Sequence, residues 1–154
     1  MSPRQDVSMS LEEVRHLLSL PLNAVLTTVG TKGYPHSTAM WFVAVDDDLL
    51  MWTYAKSQKA QNVKRDPRCA VLVEEGSAYN ELRGVLVRGS VETITDYDAV
   101  AGIGELLYDK YTFPHTGLLF DEGPRLEIER QAQKRVGLKL PLGWTTSWDH
   151  RRLR

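Results

Sequence analysis

Apolar positions along this chain follow two periods, and each change of period marks a change of element. Leu11, Val14, Leu17 and Leu18 recur at helical spacing. Ser10-Leu11-Glu12-Glu13 is a capping box, Ser at the N-cap and Glu at N3, so a helix is expected to about Ser19. Residues 22–29 read as a strand, Gly30-Thr31-Lys32-Gly33-Tyr34-Pro35 as a hairpin connection rich in turn formers, and residues 36–45 as a second strand. The chain turns at Asp46-Asp47-Asp48 into Leu49-Leu50-Met51-Trp52-Thr53-Tyr54, apolar on both faces as a buried strand is. Ser57 is the N-cap candidate of a two-turn helix, Gln58–Arg65, which Asp66-Pro67 stops because proline disfavours helical geometry just before itself.

A fourth strand is expected over residues 68–74, a polar loop over 75–82 and a long strand over 84–95. In the long strand Val85, Val87 and Val91 share a face opposite Arg88 and Glu92. Gly89 interrupts that face and suggests a bulge or a close approach. Residues 96–111 read as a helix weakened by Gly102 and Gly104, and residues 112–123 as a loop near a site or an interface. Pro124 suits the first position of a short helix to about Gln133. A last strand over residues 134–140 points Val136, Leu138 and Leu140 inward, and residues 144–154 form a tail. Six strands, short turns and late helices argue for an α+β, mainly β, closed barrel with helical decoration. Residues 1–7 are expected as a flexible tail before a single domain, 8–154.

The totals remove several classes of function. A formal charge of −1 leaves no footprint for nucleic acid or an anionic membrane. One cysteine, Cys69, excludes an internal disulfide and a cysteine-based zinc site, and its strand context makes it a packed residue. Four scattered histidines without paired spacing argue against a metal. No apolar run approaches the roughly 18 residues of a spanning helix, so a cytoplasmic protein is the expectation.

The stretch that invites chemistry is the start of the Gln58–Arg65 helix. Free N–H groups and the positive end of the dipole attract a phosphate or carboxylate there. Lys56, Ser57, Lys59 and Asn62 add cations and hydrogen-bonding groups behind a buried strand. Set against this reading is a solvated basic turn.

The order of strand, Gly-x-Pro hairpin, strand, Asp-rich turn and strand, followed by Ser57-Gln58-Lys59-Ala60-Gln61-Asn62 and Arg65-Asp66-Pro67-Arg68, resembles a known superfamily. It is similar to the split β-barrel flavin and deazaflavin proteins related to pyridoxamine 5′-phosphate oxidase. Lys134-Arg135-Val136-Gly137 with Ser147-Trp148-Asp149-His150-Arg151 is similar to the actinobacterial branch that uses the deazaflavin coenzyme F-420. The resemblance implies a six-stranded, FMN-binding-protein-like Greek-key split barrel, and a homodimer with two cofactor sites at the interface. It places the cofactor phosphate at Ser57, Gln58, Lys59 and neighbouring amides, and the tricycle against His36, Ser37, Thr38, Ala39, Met40 and Trp41. Lys56 or Arg65 could meet the carboxylates of a polyglutamate tail. The oxidases carry Arg and Lys on the strand before the Asp-rich turn; here that strand has neither, which favours the deazaflavin over FMN.

No general acid is demanded by the sequence. His36, Tyr54, Tyr79 and Tyr111 are of the right type, each weighed against rim or core packing. Met40 and Trp41 are weighed between core packing and stacking on a ring or substrate, and Trp148 between anchoring the C-terminus and walling the partner's site. His150, Arg151 and Arg152 read most simply as a solvated basic tail. The leading expectation is a coenzyme F-420-dependent reductase acting on a small conjugated acceptor such as an enone or quinone. The alternatives are an FMN-binding oxidase-like protein and a non-catalytic cofactor-binding dimer.

Overall fold

Nine strands build two antiparallel sheets in the computed structural model, which describes residues 7–153. In chain order the elements are α1 (Leu11–Ser19), β1 (Ala24–Val29), β2 (Pro35–Met40), β3 (Val43–Val45), β4 (Asp48–Tyr54), α2 (Gln58–Arg65), β5 (Arg68–Glu75), β6 (Arg83–Ser90) and β7 (Glu92–Ile94). Then follow α3 (Tyr97–Leu107), a π-turn (Tyr108–Thr112), α4 (Phe113–Thr116), α5 (Pro124–Ala132), β8 (Arg135–Pro141) and β9 (Trp144–Asp149). Of the tail expected over residues 1–7, all but Val7 lies outside the described residues; Val7 itself is buried.

The larger sheet runs β2-β1-β5-β6-β9 and the smaller β3-β4-β8-β7. Their inward faces meet in one core, where Leu26, Leu49, Met51, Val71, Val85, Leu138 and Leu140 have no exposure. Each such aliphatic side chain contributes about 1.5–3 kcal/mol. Val14, Leu17 and Leu18 of α1 join this core. Leu11, expected on the same face, is 53% exposed instead. The capping box is present, with Ser10 Oγ accepting from the Glu13 amide and the Glu13 carboxylate accepting from the Ser10 amide.

The structure corrects the strand boundaries in three places. The second expected strand breaks at Trp41-Phe42, where the chain leaves the larger sheet for the smaller. There the Phe42 amide donates to Tyr111 Oη at 3.3 Å, and Phe42 O accepts from Lys110 Nζ at 3.0 Å. The corner's backbone groups are thus satisfied by the π-turn rather than by a ladder. The long strand expected over 84–95 breaks in the same way at Val91, whose amide donates to Pro67 O at 2.8 Å. The expected tail contains β9, paired along β6. It also ends tied down, with Arg151 bonded to Asp149, Arg152 to Glu13, and His150 packed on Tyr79.

The Asp-rich turn is a two-residue hairpin in which Asp46 and Asp47 take left-handed φ of 50° and 63°. Helices α3 and α5 cover the outer face of the smaller sheet. Gly104 makes this possible, because a Cβ there would stand 2.6 Å from the Trp52 ring. No described helix lies on the outer face of the larger sheet, and none is long and apolar enough to cross a membrane.

Candidate functional site

The expected N-cap forms as read: Ser57 is extended, and its Oγ accepts from the Ala60 amide at 3.3 Å. Thr53 Oγ1, at the buried end of β4, lies 3.1 Å from the same Oγ and holds it in place. Asn62, with no exposure, donates to Thr28 Oγ1 at 3.0 Å and accepts from Gln58 Nε2 at 2.8 Å. Arg65 donates to Val29 O. Asn62 and Arg65 therefore pin α2 onto β1; both were expected nearer a ligand, and their side chains are occupied with this anchoring.

What remains open at the start of α2 is cationic. Lys56 is exposed and Lys59 half-buried, and neither meets a carboxylate among the described residues. Burial lowers the Lys59 pKa, and the charge of Arg135 lowers it further. Arg135 is the residue that sequence reasoning passed over as a site. Its guanidinium lies 4.1 Å from the Tyr54 ring centroid and 4.6 Å from that of Trp52. Its Nη2 reaches Gln131 Oε1 at 3.4 Å, while its Nε is buried and unpartnered.

Strand β2 edges the larger sheet, pairing only with β1, so alternate backbone groups on its other side face no ladder. His36, Thr38 and Met40 point inward, with Met40 against the core; Ser37 and Ala39 point outward. Ser37 Oγ lies 2.8 Å from Thr27 Oγ1. Buried His36 Nδ1 and Thr38 Oγ1 have no partner. One recess, of about 220 Å³, joins His36 and Pro35 to Gln58 and Asn62. Another, of about 440 Å³, joins Ala39, Met40 and Trp41 to Trp52 and Arg135. The two recesses lie along β2, the first of them shared with α2 through Gln58 and Asn62, and together make up the groove on this side of the sheet.

Trp148 is not in it. It lies on β9, at the opposite edge of the sheet from β2, with its ring over Gly84, where a Cβ would be 2.3 Å away. Four inter-strand spacings put it roughly 19 Å from β2. Two of the four acid candidates are held in other roles. Tyr111 is buried, its hydroxyl spans Leu22 O and the Phe42 backbone, and burial pushes its pKa up to about 12. Tyr79, between β5 and β6, packs on His150 of the C-terminal segment. His36 and Tyr54 remain beside the groove. Burial likewise pushes the Cys69 thiol up to about 11, which removes it as a nucleophile. Among the described residues no cluster of His, Cys, Asp or Glu could hold a metal ion.

A split barrel with an open edge strand, beside a capped helix start that carries Lys56 and Lys59, defines the class. The profile of the pyridoxamine 5′-phosphate oxidase family matches residues 10–141, and the chain belongs to that family. The conserved hypothetical protein Rv2991 of Mycobacterium tuberculosis superposes with a TM-score of 0.88 at 36% identity, over 99% of this chain and 92% of that one. An F-420 reductase superposes at 0.64 with 27% identity, over 85% of this chain and 94% of its own. An FAD and heme binding protein from Mycobacterium smegmatis shares the fold at 0.71 and 21% identity, over 93% and 72%. No curated protein matches.

Proposed function

We propose that this protein is a cytoplasmic, homodimeric oxidoreductase that binds coenzyme F-420 and reduces a small conjugated acceptor. The observation that carries the reading is the distribution of charge around the groove. Lys56, Lys59 and Arg135 surround the start of α2 without a carboxylate among the described residues, while β2 contributes neither Arg nor Lys. Unpaired cations and free first-turn amides suit a phosphate and carboxylates. The unpartnered His36 Nδ1 and Thr38 Oγ1 suit the polar edge of a ring. Likeness to an F-420 reductase at 27% identity supports the same choice.

Ser57, Gln58 and Lys59 would hold the phosphate, Lys56 the tail, and β2 from His36 to Trp41 the ring. When bound, the deazaflavin supplies two-electron hydride transfer. The chain's own work is to fix that ring against β2, keep water out, and leave His36 or Tyr54 near the proton's path. The dimer is supported by the bare outer face of the larger sheet, where Val25 is 38% and Trp144 60% exposed. An obligate interface there would bury more than roughly 2,000 Å², and would bring Trp148 to the partner's groove.

Side-by-side fluorescence titrations with coenzyme F-420 and FMN test the reading. F-420 is expected to bind tighter. Stoichiometric FMN in the purified protein that F-420 cannot displace would replace the reading with an FMN-dependent one.

A further inference from the structure

We infer that the recess of Ala39, Met40, Trp41, Trp52 and Arg135, at the far end of the β2 stretch that would carry the coenzyme ring, is an acceptor subsite where a second flat molecule stacks beside that ring, and that it selects a conjugated molecule bearing a carboxylate or similar anionic oxygen. This rests on the reductase reading and gives it a substrate class. Trp41 stacks on Tyr111 with ring centroids 4.7 Å apart and planes within 1°. Tyr111 is itself locked by its hydroxyl to Leu22 and Phe42, so the platform is rigid before any ligand arrives. Trp41 nevertheless remains 49% exposed, leaving its other face to a second flat ring. At about 440 Å³ the recess is of a size that holds a small conjugated molecule.

Arg135 supplies the charge selection. The rings of Trp52 and Tyr54 hold its guanidinium flat, and its one polar contact among the described residues is the 3.4 Å reach to Gln131. Its buried Nε has no acceptor, so the chain alone leaves the guanidinium under-bonded. The guanidinium fork matches a carboxylate in two parallel hydrogen bonds, which an ammonium cannot reproduce. Lys59 adds to the same positive potential, so a cationic acceptor is excluded and a neutral one leaves Arg135 unanswered.

The probes are 2-naphthoate and its neutral amide, 2-naphthamide, titrated calorimetrically into the full chain with and without saturating coenzyme F-420. Wild type is expected to prefer the carboxylate by roughly 10-fold or more, the worth of one charged hydrogen bond. Arg135→Gln should abolish the preference, Arg135→Lys retain part of it, and Trp41→Ala weaken both probes alike. Equal affinities in wild type, or a preference that survives Arg135→Gln, overturn the subsite. Displacement of naphthoate by F-420 also overturns it, by assigning the recess to the coenzyme. If F-420 fails to bind while the Arg135-dependent preference persists, the coenzyme reading falls and the anion-selective recess stands. Melting curves accompany each variant, and Arg135→Lys carries the comparison if the glutamine variant does not fold.

Discussion

Replacing Lys59 with alanine separates a ligand-holding lysine from a structural one, because the two roles give opposite signs. Ser57 Oγ already takes the Ala60 amide, so the amides of Gln58 and Lys59 are the free donors of the first turn. Without a ligand, the Lys59 ammonium is poorly placed: it is half-buried, at the positive end of a helix dipole, and beside Arg135. Truncation should therefore leave the melting temperature unchanged or slightly raised. An anion reverses the balance, since dipole and ammonium then act on one charge. Loss of a single charged hydrogen bond costs about 1.5–3 kcal/mol, a coenzyme Kd weaker by roughly 10- to 150-fold. Salt should weaken wild-type binding more than the variant's.

The pH dependence has a definite sign. Because the folded chain holds the Lys59 pKa below the ordinary 10.5, the folded state binds fewer protons just under that pH. Ligand-free stability then rises as pH climbs towards 10.5, and Lys59→Ala loses that slope. Coenzyme fluorescence titrations and melts on the same samples read both effects. Unchanged affinity would remove Lys59 as a ligand, and the same result in Lys56→Ala and Ser57→Ala would sink the site. A collapsed melting temperature would make the lysine structural.

Gly104→Ala puts a Cβ 2.6 Å from Trp52 and 2.8 Å from Ile128, so chemical denaturation should show a net loss of up to about 2 kcal/mol despite better helix propensity. Gly102→Ala, with nothing within 4 Å, should instead gain up to about 1 kcal/mol. Asn62→Ala leaves buried Thr28 without its donor and should cost about 1–3 kcal/mol by denaturant titration; an unchanged midpoint would deny the anchor. Burial pushes the Lys110 pKa down to about 8, so wild-type stability should rise between pH 8 and 10.5, where the unfolded chain alone holds the proton. Lys110→Met should show a smaller rise that starts at higher pH, the remaining slope being that of Lys59. Val25→Glu, on the bare sheet face, should yield a 17.5 kDa monomer by light scattering where wild type gives twice that mass.

What could be read from the chain was local. The Ser10 capping box and the Ser57 N-cap depend on hydrogen bonds three residues long, so residue type and spacing suffice. The sheet changes at Trp41-Phe42 and Val91 were not legible, because distant residues decide them; Tyr111 stands 69 positions from Phe42. Strand β9 went unseen for another reason. Its inward residues are Thr145 and Ser147, so no apolar alternation appears, and its outward residues are the large ones. Arg135 stood in a stretch already singled out, alternating with inward Val136 and Leu138. Only the pairing of Arg135 with Tyr54 sets it between two aromatic rings and next to Lys59.

The two edges of the larger sheet leave complementary gaps. At the β2 edge, Ser37 and Ala39 point outward from a strand that has no further neighbour in the sheet. At the β9 edge Trp148 lies over Gly84, and Arg88, stacked 4.1 Å over Trp144, keeps a buried Nε without a partner. The face between them carries Val25, Leu72 and Leu86, and no helix among the described residues covers it. A two-fold axis beneath that face and running along the strands would set the β9 edge of one copy against the β2 edge of the other, because rotation about it reverses the strand order across the contact. One association would then cover the apolar face and complete both grooves. In the proposed dimer, ligand binding and subunit association are therefore linked: whatever fills the groove also strengthens the interface, by as much as its affinity for the dimer exceeds that for the monomer.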